Sequence, residues 1–140
     1  MSDWRRHAPR NIALGRVAFG LALMIAPGPA GRVFLGRESS RPSVRFMSRI
    51  FGGRDLAIGL LQLQAVRQDR PEVLSKALWL GAGCDAWDAV AAWRGGELPL
   101  WSRAVVTTLG STTAAMGVAA ALAPPPASGP GPAPAAAPAA

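Results

Sequence analysis

Four apolar segments occupy most of this 140-residue chain, and three of them carry ionisable residues well inside. Arg16 interrupts the first. Arg54 and Asp55 stand at the head of the run Leu56 to Val66 in the second, and Asp85 and Asp88 lie in the third. The fourth, Ala104 to Ala123, has no charge at all. As a helix rising ~1.5 Å per residue, that run is long enough to cross a hydrocarbon layer of ~30 Å. The other three must then carry their charges into the layer with them. An isolated charge at mid-membrane costs ~2.5–3.5 kcal/mol even on insertion-based scales, so such groups turn inward and seek each other. The expected fold is therefore all-α: a four-helix transmembrane bundle with short loops, built around a buried Arg/Asp cluster.

Composition leaves little room for other classes. Half the residues are apolar and only 16% are charged, which is too apolar for disorder and too poor in charge for an ordinary soluble domain. The length suits one domain with its tails. A net charge of +7 would suit nucleic acid, but the arginines fall between and at the edges of the apolar runs. No nucleic-acid-binding motif accompanies them, so no nucleic-acid partner is expected. They read as cationic flanks for anionic headgroups. Cys84 is the only cysteine, and it cannot form an internal disulfide.

Residues 1–10 form a basic N-terminal segment. Pro9 suits a first helical turn, so the first helix is expected over about 9–26, ended by Pro27-Gly28-Pro29. A secretory signal is the rival reading, but Arg16 falls where its apolar core should be uninterrupted. Gly28 to Arg41 reads as a connector. Ser40 is a candidate cap for a second helix over 42–66, with Pro42 in its first turn. Asp69, Pro71 and Glu72 signal the start of a third over 71–93. Arg94-Gly95-Gly96-Glu97 makes the next turn, and Pro99 opens a fourth helix over 99–123. The membrane domain thus spans 11–123. Residues 124–140, made of Pro, Ala, Gly and one Ser, are expected to be a disordered tail. Four crossings put both termini on one side. The basic residues at the two ends nearly balance, so the positive-inside rule does not choose an orientation.

Helical spacing assigns each buried charge to a face. Ala13, Arg16 and Gly20 line up in the first helix. Gly52, Asp55, Gly59 and Gln62 do so in the second, and Gly81, Asp85, Asp88 and Ala92 in the third. Arg103, Thr107, Gly110, Ala114, Gly117 and Ala121 form the stripe of the fourth. In lipid, small residues mark close helix approach and ionisable ones turn inward. Gly20, Gly52, Gly53, Gly59, Gly81, Gly110 and Gly117 are accordingly read as packing positions. Arg16, Arg54, Asp55, Asp85 and Asp88 are read as the intramembrane cluster. Guanidinium matches carboxylate bidentately, so pairing would offset much of the burial cost. The cluster either fixes helix register or forms a functional site.

Other motifs are weaker. Gly81-Ala82-Gly83-Cys84-Asp85-Ala86 fits a loose dinucleotide pattern without the βαβ unit such a motif needs. His7 is the only histidine, which argues against a His-based triad or a His-rich metal site. Asp85 and Asp88 beside arginines read as ion pairs before metal ligands, and Cys84 as a packing residue. Trp4, Trp79, Trp93 and Trp101 lie toward helix ends as headgroup anchors, and Trp87, deeper, is expected to pack. The hydroxyls of Thr107, Thr108, Ser111, Thr112 and Thr113 can bond back to their own helix.

Three segments carry a resemblance. They are Ala13-Leu14-Gly15-Arg16 with the Ala26-Pro27 break, Phe51 to Gly59 around Gly52-Gly53-Arg54-Asp55, and Gly83 to Ala89 with Asp85 and Asp88. Together they resemble a family of small bacterial four-helix integral membrane proteins of unknown function, over about Asn11 to Ala123. The resemblance implies the same fold and transfers no activity. A more distant likeness, in size and helix count alone, is to the DoxX-like and sterol-scaffold membrane proteins.

The expected role is that of a multi-pass protein of the plasma membrane, non-enzymatic, without cofactor or metal. It would act as a scaffold or accessory subunit, with the lipid bilayer and either a membrane-protein partner or a second copy of the chain as its contacts. One alternative is a small oligomeric transporter or proton/ion pathway using Asp55, Asp85 and Asp88. Another is a membrane-embedded oxidoreductase or lipid-modifying enzyme, for which the sequence offers no nucleophile or redox group.

Overall fold

The computed structural model describes residues 2–95 and 98–123. All regular structure among them is helical: α1 (Ser2–Ile25), α2 (Pro27–Leu35), α3 (Pro42–Arg67), α4 (Pro71–Arg94) and α5 (Leu100–Ala121), with a 3₁₀ turn, Gly36–Ser40, between α2 and α3. Residues 124–140, expected to be a tail, lie outside the described residues, as do Gly96 and Glu97 of the last turn.

Proline explains where the chain departs from expectation. The stretch 28–41, expected to be a connector, folds as α2 and the 3₁₀ turn. Pro27 stands in the first turn of α2, where a missing N–H would have had no helical partner anyway. It ends α1 and starts the next helix. Pro9, expected near the start of α1, lies inside it, and the helix already runs from Ser2. A proline there removes one N–H donor without stopping the helix. Neither expected side-chain cap forms. Arg41 and Arg70 hold the N-cap positions of α3 and α4 without a side-chain bond. Asp69 instead turns the chain at φ +49°, a left-handed conformation that aspartate tolerates better than most residues.

The four long helices pack antiparallel to their neighbours. Gly20 of α1 lies against the Gly52–Leu56 backbone of α3, with only 2.6 Å between the place a Cβ would occupy and the Gly52 oxygen. Gln62 of α3 donates to the carbonyl of Ala77 on α4 at 3.0 Å. Gly110 and Gly117 of α5 face Ala89 and Ala82 of α4, and Thr107 donates to the Ala89 carbonyl at 3.3 Å. Helix α2 lies at one end, held by Ser102 of α5 donating to the Phe34 carbonyl and by edge-to-face contact of Phe34 with Phe19.

What sits inside is small or polar. The buried set is mostly alanine and glycine, with Ser39, Ser48, Asp55, Gln62, Asp85 and Ser102 among it, and Leu23, Ile58 and Leu78 are its large apolar members. Most other large side chains face outward, some on every long helix: Ile25 is 78% exposed, Phe46 62%, Trp87 70% and Leu100 73%. Trp87, expected to pack, is among the most exposed because it lies on the α4 face opposite Asp85 and Ala89. Two helical stretches, His7–Ile25 and Leu100–Ala121, are long and apolar enough to cross a membrane.

Candidate functional site

Three helices converge on Arg16. Its Nη1 donates to Asp55 Oδ1 at 3.0 Å, and its Nη2 donates to Asp85 Oδ2. Asp55 Oδ1 also lies 3.6 Å from Arg54 Nη2. Arg54 in turn holds Asp88 with both amino groups, at 2.7 and 3.2 Å. The charges alternate along one path: Asp85, Arg16, Asp55, Arg54, Asp88. Asp85 and Asp88 are three residues apart on α4, one turn of one face, so both ends of the path are anchored on the same helix.

Burial differs around the ring. The side chains of Arg16, Asp55 and Asp85 keep 9, 8 and 10% of their exposure, whereas Arg54 and Asp88 keep 27 and 29%. The inner half is thus locked between α1, α3 and α4, and the outer half reaches the surface, where Arg54 also lies over the Phe51 ring at 5.4 Å.

Glycine makes the space. A Cβ on Gly81 would fall 2.8 Å from Arg16 Nη2, and one on Gly59 3.0 Å from Arg16 Cβ. Gly110 lets α5 come within 2.8 Å of the Asp85 carbonyl by the same measure. Gly52 and Gly20 close the turn beyond. Gly53, read from sequence as a packing position, has open space where its Cβ would be. It is one residue round the helix from Gly52 and points away from α1.

Two further buried polar residues tie helices together outside the ring, Gln62 on the stripe expected from spacing and Ser102. Gln62, almost fully buried, shares the Asp55 face two turns on. Its Nε2 is bonded to Ala77, while its Oε1 has no partner. The Nε atoms of Arg16 and Arg54 are likewise buried without an acceptor. Ser102, which fastens α2, offered no signal beyond being a serine near a helix start. Cys84 is a free, half-buried thiol one residue from Asp85. Among the described residues no group of His, Cys, Asp and Glu could hold a metal ion. Each carboxylate of the ring is engaged by a guanidinium, so the arrangement ties three helices together through ion pairs.

A family model, Domain of unknown function (DUF4267), matches residues 13–123. The chain belongs to the DUF4267 family. That match begins three residues before Arg16 and takes in every member of the ring, all four long helices in whole or large part, and α2. No curated protein and no solved structure matches the chain. DUF4267 membership therefore supplies a family for this fold without an activity, and the function must be argued from the molecule itself.

Proposed function

We propose that this DUF4267 chain is a four-span integral membrane protein, with α1, α3, α4 and α5 crossing the bilayer, and that its role is that of a scaffold or accessory subunit. The observation that carries this reading is the inverted distribution of side chains. Asp55, Gln62, Asp85, alanine and glycine are inside, and most Leu, Ile, Phe and Trp of the four long helices are outside, Leu23, Ile58 and Leu78 being the buried exceptions. Water would favour the reverse, whereas lipid tails place no cost on outward Leu or Trp and reward small residues at helix contacts.

Depth supports the same reading. Arg16 is midway between His7 and Ile25, and Gly110, against Asp85, is midway along Leu100–Ala121. The buried half of the ring thus lies at the centre of both apolar stretches. Lys76 and Arg94 stand nine residues either side of Asp85, about 14 Å in each direction. That is where a hydrocarbon layer of ~30 Å would end. Trp79, Trp93 and Trp101 fall toward those levels, as headgroup anchors do.

The scaffold role is supported by each carboxylate of the ring having a guanidinium partner within it. Membranes washed with alkaline carbonate should retain the protein, and reporters fused to either terminus should report the same side. Release into the wash, or termini on opposite sides, would refute the four-span reading. One observation favours a second reading, an ion pathway: the ring has three carboxylates to two guanidiniums. Cation flux in proteoliposomes that disappears in Asp85→Asn would replace the scaffold reading with that one.

A further inference from the structure

An open apolar groove of about 290 Å³ runs along the outside of the bundle between α2 and the first half of α3, lined by Leu35, Ser43, Val44, Met47, Ser48 and Phe51. The volume is at the low end for small-molecule sites and suits part of a single hydrocarbon chain. Two arginines adjoin the lining residues in the chain. Arg37 is two residues beyond Leu35, and Arg41 two before Ser43. Both arginines are exposed. Arg41 is paired with Glu38 at 2.8 Å, while Arg37 has no bond partner among the described residues.

The spacing along α3 matches a lipid. Measured from Asp55 at ~1.5 Å per residue, Phe51 and Met47 lie about 6 and 12 Å from mid-depth, and Ser43 about 18 Å. The hydrocarbon half-thickness is ~15 Å. The apolar floor therefore falls within the acyl region, and Ser43 and Arg41 fall at headgroup level, with Arg37 next in the chain to Glu38, which pairs with Arg41. We infer that this groove holds one anionic glycerophospholipid, an acyl chain along Met47 and Phe51 and the headgroup phosphate against Arg37 and Arg41. The inference rests on the four-span reading. It adds a selective lipid site that the reading alone does not require.

Charge complementarity commits the occupant. A zwitterionic lipid gains little from Arg37, whereas an anionic one gains roughly fivefold per arginine near the surface. The Glu38 carboxylate competes with the phosphate for Arg41, so it weakens the site.

The test is native mass spectrometry of the full chain released from nonionic detergent, titrated with phosphatidylglycerol and with phosphatidylcholine of the same acyl chains. One phosphatidylglycerol should bind per chain, about fivefold or more in preference to phosphatidylcholine. Arg37→Gln should lose about that factor, and Glu38→Gln should raise affinity by a similar one. Ser43→Trp, which obstructs the groove at an exposed position, should lower binding of both lipids. Equal binding of the two lipids would overturn the proposal, as would equal losses from Arg37→Gln and from Arg67→Gln at the other end. Displacement by inorganic phosphate alone would overturn it too. In each of those cases the four-span reading stands. A chain that stays monomeric in buffer without detergent would instead remove that reading first.

Discussion

Neutralising one member of the inner ion pair measures what holds α1 to α4. In Asp85→Asn the side chain keeps its shape but no longer balances Arg16, whose own side chain is 9% exposed and whose remaining carboxylate partner is Asp55 at 3.0 Å. Leaving one partner of a fully buried pair alone costs ~3–5 kcal/mol. With Asp55 still in place, the lower figure of about 2–3 kcal/mol is expected, in the range of a lost hydrogen bond to a charged group. Arg16→Met strands two carboxylates and should cost more, about 3–5 kcal/mol. The double variant removes both charges of the contact, so it should retain about 1–3 kcal/mol relative to the sum of the singles. For a chain of this size, each kcal/mol moves the midpoint by roughly 2–4 °C. Circular-dichroism melts at 222 nm in one detergent would then place Asp85→Asn about 4–12 °C below the parent. The double variant should melt several degrees above the additive expectation. Additivity within about 0.5 kcal/mol would show that the two residues do not interact and would refute the ring as the tie between α1 and α4. The Arg54–Asp88 pair, more than a quarter exposed on both sides, is the internal comparison and should show the smaller coupling.

Other expectations are direct. Gly110→Val puts a side chain 2.8 Å from the Asp85 carbonyl and should destabilise the fold by ~1–3 kcal/mol or more; Gly53→Ala, in open space, should stabilise it by up to about 1 kcal/mol, both read as melting midpoints. Gly36→Ala combines φ +56° with a Cβ placed 3.0 Å from the Trp101 ring, so it should loosen α2 from α5 and raise amide hydrogen exchange there while α1 and α3 stay protected. Ser102→Ala, which loses the bond to the Phe34 carbonyl, should cost ~1 kcal/mol and loosen the same segment. Cys84, half-buried and next to Asp85, should resist a membrane-impermeant maleimide in sealed vesicles of either orientation and react once the chain is denatured; rapid labelling in intact vesicles would refute the proposed depth.

Much of the architecture was legible because periodicity and proline position are local signals. The apolar runs located the long helices, and the 3.6-residue spacing put Arg16, Asp55 and Asp85 on faces that α1, α3 and α4 turn toward one another. Partner choice was not legible. Nothing local says that Arg16 bridges Asp55 and Asp85 while Arg54 takes Asp88, because that depends on which glycines let backbones approach. Gly53 illustrates the limit. It is adjacent to Gly52 and identical in composition, yet only Gly52 faces another helix. The segment after α1 is helical where a connector is expected, because Pro27-Gly28-Pro29 serves equally as a stop and as a first turn. Only packing against Ser102, Phe19 and Trp101 favours the helix over a loop.

The same geometry accounts for the difference between α1 and α5, which are apolar enough to cross a membrane on composition, and α3 and α4, which do not pass that test. Composition counts a charge wherever it points. In α3 and α4 Asp55 and Asp85 point inward and are neutralised there, with Arg54 and Asp88 half-buried beside them. The surface these helices present over their middle turns is instead Leu60, Leu61, Leu80, Trp87 and Val90. A water-soluble reading would have to cover that surface, and also the Phe19 and Leu21 flank of α1 and the Leu109 and Met116 flank of α5. A twofold interface covers one self-complementary patch, and these residues lie on all four long helices, facing away from the shared interior. One partner cannot reach them all, whereas a solvent of hydrocarbon reaches them at once.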